Sequence, residues 1–474
     1  MTTPESTLAR VLVERASQRP QLRVGTVDNQ LALPDALGLA AGRARAMLGG
    51  GLKPGQTVAL VADTSTDYLV TWMACLLAGV PVALVNPTYP AELLERMLRP
   101  LGPALVVDQQ AVKALSSAGS STLEGLPGLD AGRFDVASFM HTSGTTGPPK
   151  FCAQTNEYFL RLARAMGDAL ELGPADRVLA PLPMFHINPM GYGMIGALVA
   201  GADALTVDKF SASRFWPVVI DEGVTVLVLH APPVEILKRA TTVEAASGHR
   251  VRTMFYADGQ FMNQFGIPAA VSGYGSTEAA GVTHLKRWRA TDDIPADASR
   301  HGGPSRDDVE WRLDDDNMIL VRESAPGTLF DGYATENGLD PGRDADGWFE
   351  TGDIGRTDSD GNLVFVERGA ESIRVKGEFV PIPFVEGELS RIVGIDDLAI
   401  WKRKSELVDD EVVLYAVADP IPLTEISVAI AVLPAFMRPV AVAQIRRMPR
   451  DAAAGKVQRR LLTEQEVVGW TDLR

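Results

Sequence analysis

Ten consecutive residues, His141 to Lys150, combine the donors and the backbone freedom that phosphate binding needs. They read HTSGTTGPPK and follow the apolar-leaning stretch FDVASFM. Glycine lets the backbone approach an anion closely, while hydroxyl and amide groups donate hydrogen bonds to phosphate oxygens. The spacing is not that of a Walker A loop, and such a run taken alone is more typical of a flexible loop. The residues expected to contact phosphate are Thr142, Ser143, Gly144, Thr145, Thr146, Gly147 and Lys150.

This string resembles the phosphate-binding signature of the ANL superfamily, which comprises acyl-CoA synthetases, adenylation domains of peptide synthetases and luciferases. The resemblance implies an α/β fold with a large N-terminal domain of stacked α/β subdomains plus a β-rich part. A small, mobile α+β C-terminal domain would follow it. The resemblance also implies that ATP and Mg²⁺ activate a small-molecule acid as its adenylate, with CoA as co-substrate.

A second matching segment, GYGSTEAAG, runs from Gly273 to Gly281. The resemblance implies that Tyr274 borders the adenine, Thr277 contacts the α-phosphate and Glu278 holds Mg²⁺. Without the resemblance, a Thr-Glu pair would indicate only a strand end or a helix cap. The same segment adds two residues to the expected nucleotide-binding set, Gly275 and Ser276.

Three more residues match the family in the order it requires. Asp353, in FETGD, would bond both ribose hydroxyls, a role that suits its two acceptor oxygens. Arg368 resembles the second contact to ribose or phosphate. Lys456, in PRDAAAGKVQRRLL, resembles the lysine that bridges the carboxylate and the α-phosphate. Taken alone, Lys456 would belong to a solvated basic face.

The segment PLPMFHINPMGYGMIGALVAGA resembles the lining of the family's acyl pocket. His186 would then lie beside the substrate carboxyl, or else form only a polar wall. The expected pocket residues are His186, His230, Tyr256, Ala257, Gly259 and Gly281. They mix aromatic and small side chains, which favours aryl or modest aliphatic acids. The segment KFSASRFW resembles the branch containing carnitine- and crotonobetaine-CoA ligases.

The implied chemistry needs little acid-base machinery, because a carboxylate is already a nucleophile and pyrophosphate leaves once its charge is neutralised. Positive charge and hydrogen-bond donors around the α-phosphorus would supply most of the stabilisation. The expected catalytic residues are Lys456, Glu278, Thr142 and His186.

The chain departs from the family pattern in two places that concern the acyl acceptor. Ala370 stands where most relatives have the hinge aspartate, and Phe379 replaces an asparagine in GEFVPIPF. The leading interpretation is an acid:CoA ligase. The nearest alternative passes the adenylate to an amine or a carrier protein, including a diazotase that activates nitrite for an aryl amine. A non-catalytic nucleotide-binding scaffold is the third class.

The elements that position these residues form two regions. The length of 474 residues predicts a large domain and a smaller one. We place the large domain, the adenylation core, at 1–368, and the smaller one, a mobile domain carrying the catalytic lysine, at 369–474. From Thr57 to about Gly281, short β-rich runs alternate with helical segments, a pattern typical of parallel strands joined by helices. The apolar run from Tyr68 to Pro90 is interrupted by glycine and prolines, which predicts a buried helix-strand pair. Past Ser299 the pattern favours short strands, with a hairpin turn at 359–362.

Composition excludes several classes of protein. A net charge of -15 argues against binding nucleic acid or inserting into an anionic membrane. The two cysteines, Cys75 and Cys152, cannot form a metal cluster alone and are expected to be buried. The N-terminal residues lack the apolar core of a signal peptide, so we expect a cytoplasmic protein.

Overall fold

The computed structural model describes residues 7–142, 149–368, 372–375, 378–405, 410–450 and 457–474. They divide into two compact units. The first unit comprises Met1–Pro87, Leu98–Thr142 and Phe151–Glu367. The second comprises Thr88–Met97, Ser143–Lys150 and Arg368–Arg474. The expected mobility of the C-terminal region and its boundary at 368/369 stay predictions.

The helices of the described residues are α1 Leu8–Gln18, α2 Leu33–Gly49, α3 Thr66–Ala78, α4 Ala91–Leu98, α5 Gln109–Leu115, α6 Asn156–Ala169, α7 Gly196–Ala200, α8 Ala212–Asp221, α9 Ala231–Ala240, α10 Gly259–Phe265, α11 Ile382–Leu389 and α12 Leu423–Ala431.

The strands are β1 Arg23–Thr26, β2 Asn29–Ala32, β3 Val58–Val61, β4 Val82–Val85, β5 Leu105–Asp108, β6 Val136–His141, β7 Phe151–Thr155, β8 Arg177–Leu179, β9 Asp203–Thr206, β10 Val226–Val228, β11 Thr253–Phe255, β12 Ala269–Tyr274, β13 His284–Arg289, β14 His301–Gly303, β15 Val309–Leu313, β16 Met318–Glu323, β17 Gly332–Thr335, β18 Gly338–Asp340, β19 Phe349–Thr357, β20 Leu363–Arg368, β21 Arg374–Val375, β22 Glu378–Phe379, β23 Asp397–Lys404, β24 Asp410–Val417, β25 Ala441–Ile445 and β26 Val467–Asp472.

Three sheets build the first unit. An eight-stranded sheet has the order β13-β12-β11-β10-β8-β9-β1-β2, and its six central strands, β12 to β1, are parallel. A seven-stranded sheet has the order β18-β17-β7-β6-β4-β3-β5, in which β5, β3, β4 and β6 are parallel. A five-stranded sheet, β14-β20-β19-β16-β15, adds the β-rich part. The α/β fold class predicted from the sequence is therefore confirmed.

The helix-strand pair predicted within Tyr68–Pro90 is present as α3 and β4. Ser65 caps the helix by accepting the backbone N–H of Tyr68, and Gly79 ends it in the left-handed conformation, at φ 66°. Every residue of α3 from Tyr68 to Ala78 is buried, so the apolar run belongs to the core. Within the described residues, no helix combines the length and the apolar character that crossing a membrane requires.

The hairpin turn predicted at 359–362 is present between β19 and β20, where the backbone N–H of Asp358 donates to the Asn362 carbonyl oxygen. Both cysteines are buried, as expected. The second unit contains a four-stranded sheet with the order β23-β24-β25-β26, together with α11 and α12. It is the smaller α+β part of the fold.

The core of the first unit includes a cluster centred on Trp216 of α8. Its side chain is fully buried, its ring lies 4.7 Å from that of Phe265, and its Nε1–H donates to Thr241 Oγ1 at 3.2 Å. Because protein interiors are close-packed, a smaller side chain at position 216 would leave part of the volume of the indole empty.

Replacing Trp216 with alanine should lower the free energy of unfolding by about 3–5 kcal/mol, because a large buried side chain leaves a cavity. Urea denaturation followed by circular dichroism measures the loss. Trp470, which is 53% exposed in β26, provides the control. Trp470→Ala should cost less than about 1 kcal/mol. Equal losses in the two variants would contradict this description of the core.

Candidate functional site

The carboxyl ends of parallel strands in the eight-stranded sheet carry several of the expected site residues. His230 comes two residues after β10, Tyr256 directly follows β11, and Tyr274 is the last residue of β12. Because β10, β11 and β12 are parallel neighbours, these residues lie at one edge of the sheet. Crevices at such edges are the usual ligand sites of α/β sheets.

The expected phosphate loop joins two strands of the seven-stranded sheet. β6 and β7 are antiparallel neighbours, and their register pairs His141 with Phe151. Thr142 is buried directly after β6, and Lys150 is exposed directly before β7. The two ends of the loop are therefore held close together by one strand pair.

A group of aromatic rings joins the end of β6 to the segment that follows β8. The ring centroids of His141 and His186 are 5.7 Å apart, and the ring of Phe185 lies 6.0 Å from His141 and 4.7 Å from His186. His186 is half-buried. The structure thus brings the expected acyl-pocket histidine beside the strand that leads into the phosphate loop.

The segment GYGSTEAAG folds back on itself directly after β12. The backbone N–H of Gly281 donates to the Ser276 carbonyl oxygen at 2.9 Å. A Cβ atom at Gly275 would lie 2.3 Å from the Gly281 carbonyl oxygen, which is closer than any real contact allows. Gly281 itself has φ +67°, a backbone conformation that residues with a side chain rarely adopt. Both glycines are therefore required by the turn.

Three side chains from other elements fix the backbone of this turn. The Thr277 carbonyl oxygen accepts from Gln154 Nε2 at 3.3 Å and from Tyr158 Oη at 2.9 Å. The Gly281 carbonyl oxygen accepts from Tyr192 Oη at 2.6 Å. Gln154 lies in β7, Tyr158 in α6, and Tyr192 in a π-helical segment, Asn188–Ile195. The turn is held from one strand and two helical segments.

Glu278 is held through both its backbone and its side chain. Its carbonyl oxygen accepts the backbone N–H of Phe330 at 3.1 Å, and its Oε1 accepts the phenol of Tyr333 at 3.2 Å. Burial, and then the neighbouring Glu278 carboxylate, raise the pKa of Tyr333 well above its usual value. Tyr333 therefore stays a protonated donor at physiological pH.

The residues expected around adenine and ribose are in direct contact. Tyr274 Oη donates to Asp353 Oδ2 at 2.9 Å, and the rings of Tyr274 and Phe365 stack with centroids 6.1 Å apart. Asp353 lies in β19 and is buried. Its backbone N–H donates to Thr351 Oγ1 at 3.1 Å. One edge of this site is thus built from the five-stranded sheet.

The remaining pocket residues cluster around the end of β11. Tyr256 is half-buried, and its backbone has φ 85°, which is uncommon for a residue with a bulky side chain. Ala257 is buried, and Gly259 is the first residue of α10. Asp258 caps α10 and also pairs with Lys238 Nζ at 3.0 Å. The turn that positions Tyr256 is thereby tied to α9.

Several expected residues lie outside the described part of the chain: Ser143, Gly144, Thr145, Thr146, Gly147, Ala370 and Lys456. The side chains of Arg368 and Phe379 also lie outside it. The roles expected for all of these residues stay predictions.

Comparison with known proteins identifies the family. The family model described as AMP-binding enzyme matches residues 35–332, more than half of the chain. The chain belongs to this family. The matched range contains the expected phosphate loop and the GYGSTEAAG turn and ends one residue before Tyr333. The sequence-based prediction of an AMP-forming, acid-activating ligase is confirmed at this level.

Individual relatives of this AMP-binding enzyme are ligases. A medium/long-chain fatty-acid–CoA ligase from Mycobacterium tuberculosis is 26% identical over 84% of this chain and 74% of its own length. The 4-coumarate–CoA ligase 3 of Arabidopsis thaliana is 25% identical over 77% of this chain and 74% of its own length.

Solved structures share the fold. A double mutant of o-succinylbenzoate CoA synthetase from Bacillus subtilis, bound to a product analogue, has a TM-score of 0.84 and 19% identity, covering 98% of this chain and 99% of that one. The same enzyme in complex with its acyl-adenylate intermediate has a TM-score of 0.69 at 19% identity and the same coverage.

Some contacts of this AMP-binding enzyme could not be found from motifs. Gln154, Tyr158 and Tyr192 contact the turn from positions 89 to 123 residues away in sequence. Asn188, two residues after His186, donates through Nδ2 to the Leu229 carbonyl oxygen at 3.2 Å. The sequence signal that points to the contact made by Tyr192 is the glycine-rich stretch after His186, which forms the π-helical segment. Such segments often occur at functional sites.

The KFSASRFW segment begins α8 and lines a small crevice. The crevice has a volume of about 130 Å³ and lies at the carboxyl ends of β1, β8 and β9. Lys209, Phe210 and Arg214 line it. The resemblance of this segment to carnitine-CoA ligases stays a sequence-based observation.

Replacing Gly275 with alanine should weaken nucleotide binding, because the new Cβ forces the turn apart at the Gly281 carbonyl oxygen. Calorimetric titration with AMP measures the effect, and we expect at least a tenfold loss of affinity, or about 1.4 kcal/mol. Gly387 in α11 is the control, since a Cβ there meets nothing within 4 Å. Wild-type affinity in Gly275→Ala would show that the turn is not part of the site.

His284 provides a pH-dependent test of the packing behind Tyr274. It is fully buried, its ring lies 4.9 Å from that of Trp311 and 6.1 Å from that of Tyr274, and burial lowers its pKa to about 3. Its pKa in the unfolded chain is about 6.5. Between these values the unfolded chain binds the extra proton, so this contribution to stability is complete above pH 6.5 and is lost as pH falls.

The variant His284→Asn should therefore lose stability less steeply than the wild type between pH 6.5 and 4.5. The expected difference is roughly 1.4 kcal/mol per pH unit. Urea denaturation at a series of pH values measures both slopes. Identical slopes would mean that His284 is protonated in the folded protein.

Proposed function

We propose that this AMP-binding enzyme uses ATP to activate a small-molecule carboxylic acid as its acyl-adenylate and then transfers the acyl group to CoA. The carboxylate oxygen attacks the α-phosphorus and pyrophosphate leaves. The CoA thiol, losing its proton, then attacks the acyl carbon, and AMP leaves with the carboxylate oxygen. Two hydrogen bonds to one short segment carry the proposal. Tyr274 and Glu278 both belong to the segment GYGSTEAAG; Tyr274 donates to Asp353, and Glu278 accepts from Tyr333.

The nucleotide would be held by residues from three sheets. Tyr274 would border the base, and Asp353, which already accepts a phenol hydrogen bond, has the acceptor oxygens that ribose hydroxyls need. Thr142 and Lys150 stand at the two ends of the phosphate loop and would contribute a hydroxyl and a cation. Lys456 would complete the charge around the α-phosphate, as the resemblance implies.

The residues around Glu278 fit Mg²⁺. Among the described residues, no group of three or more histidine, cysteine or acidic side chains could hold a metal ion. This suits Mg²⁺, which is commonly bound by one or two carboxylates, substrate phosphates and water. Glu278 would hold the ion, which would supply positive charge that favours departure of pyrophosphate.

The acid would enter beside His186. Its ring lies between the end of β6 and the start of the π-helical segment, close to the expected α-phosphate position. Because the expected pocket residues mix aromatic and small side chains, aryl or short aliphatic acids fit the proposal better than long chains. Among the relatives, one is named for 4-coumarate, an aryl acid, and another for medium- and long-chain fatty acids.

CoA as acceptor is supported by the names of three similar proteins, two CoA ligases and one CoA synthetase. Transfer to an amine, a carrier protein or, from nitrite, an aryl amine is the alternative. The side chain of Phe379, the residue that departs from the family pattern at the expected acceptor entrance, lies outside the described part of the chain, so a blocked thiol entrance stays a prediction.

ATP–pyrophosphate exchange across a panel of aryl and short aliphatic acids, with nitrite included, tests the activation step. We expect exchange with a carboxylic acid and AMP release that CoA accelerates. Lys456→Ala should abolish both while leaving the melting temperature unchanged. Exchange with nitrite alone, or AMP release that needs an amine, would replace CoA ligation with the alternative.

A further inference from the structure

The two peptide groups that flank the Glu278 Cα are both held by hydrogen bonds, which leaves only the Glu278 side chain to be oriented. Gln154 Nε2 and Tyr158 Oη donate to the Thr277 carbonyl oxygen. The backbone N–H of Phe330 donates to the Glu278 carbonyl oxygen. With its backbone held, the carboxylate direction depends on the side-chain torsions alone.

Tyr333 contacts that carboxylate from a rigid position. It lies in β17, whose register pairs Gly332 with Ala153 and Tyr333 with Cys152 of β7. Its ring packs edge-on against Phe330, with centroids 4.8 Å apart. A Cβ at Gly342 would lie 3.0 Å from the Tyr333 ring, so the glycine there leaves the space that the ring occupies. Tyr333 Oη therefore reaches Glu278 Oε1 from a fixed point.

The strand that holds Tyr333 is also the neighbour of the strand that leaves the phosphate loop. β7 begins at Phe151, directly after Lys150, and pairs with β17. The same strand pair thus sets the position of Tyr333 relative to the point where β7 begins. A phenol that donates to Oε1 restricts the Glu278 carboxylate to one orientation and leaves its second oxygen to accept another partner.

We infer that Tyr333 is a positioning residue that orients the Glu278 carboxylate toward the divalent cation carried by ATP. The inference rests on the proposed function, because it requires ATP and its cation in this site. Partners that orient a metal-binding carboxylate typically change metal affinity 10–100-fold when they are removed. A tyrosine that only fills space would not have this effect.

The test is calorimetric titration of Mn²⁺ into the full-length enzyme saturated with α,β-methylene-ATP. Tyr333→Phe keeps the ring and its contact with Phe330 and removes only the hydroxyl. We expect Mn²⁺ affinity to fall about tenfold, while binding of the nucleotide in the presence of EDTA and the melting temperature stay at wild-type values.

Two further variants separate orientation from general disturbance. Tyr68→Phe removes a different buried phenol, in α3, that is not part of the candidate site. Its Mn²⁺ affinity should stay within about twofold of wild type. Adding Tyr333→Phe to Glu278→Gln should produce no further loss, because the hydroxyl then has no metal-binding carboxylate to orient.

The inference is overturned if Tyr333→Phe binds Mn²⁺ like the wild type, or if it loses nucleotide equally with and without metal. An additional loss in the Glu278→Gln background would also overturn it. Failure of the wild type to bind the ATP analogue at all would instead contradict the proposed function. The two failures are therefore distinguishable.

Discussion

The arrangement of the site depends on one close approach of backbone to backbone. Gly275 lies so near the Gly281 carbonyl oxygen that a Cβ could not fit between them, and the Ser276 to Gly281 hydrogen bond closes the turn. This closure sets the position of Glu278, within the turn, relative to Tyr274, which precedes it. Any side chain at Gly275 would force the turn apart between these two residues.

Three sheets supply the residues expected to contact the nucleotide, and the expected contact differs from sheet to sheet. The eight-stranded sheet supplies Tyr274, and the five-stranded sheet supplies Asp353. The seven-stranded sheet supplies both the phosphate-loop ends and Tyr333. A nucleotide needs contacts to base, ribose and phosphate at fixed separations. Positioning of this kind provides much of the rate enhancement in a reaction that needs little proton transfer.

Local sequence predicted the fold well where the signal itself was local. The runs VALVA, PVALV and ALVVD are strands β3, β4 and β5, because β-branched residues between turn signals favour buried strands. Among the motif residues, Tyr274 contacts Asp353, and Glu278 belongs to the same turn as Tyr274. Their individual roles stay predictions. The contacts of Tyr333 with Glu278 and of Tyr158 with Thr277 span 55 and 119 residues. Such contacts depend on strand order and register, which no motif encodes.

Isotope transfer from the acid to AMP tests the central claim, acid activation as an adenylate, most directly. An accepted acid carrying ¹⁸O in its carboxylate would be incubated with the enzyme, ATP, Mg²⁺ and CoA, and the AMP examined by mass spectrometry. The account predicts AMP with one labelled oxygen, because the carboxylate oxygen bonded to phosphorus stays there when the acyl group leaves. AMP without label, formed together with the thioester, would contradict it.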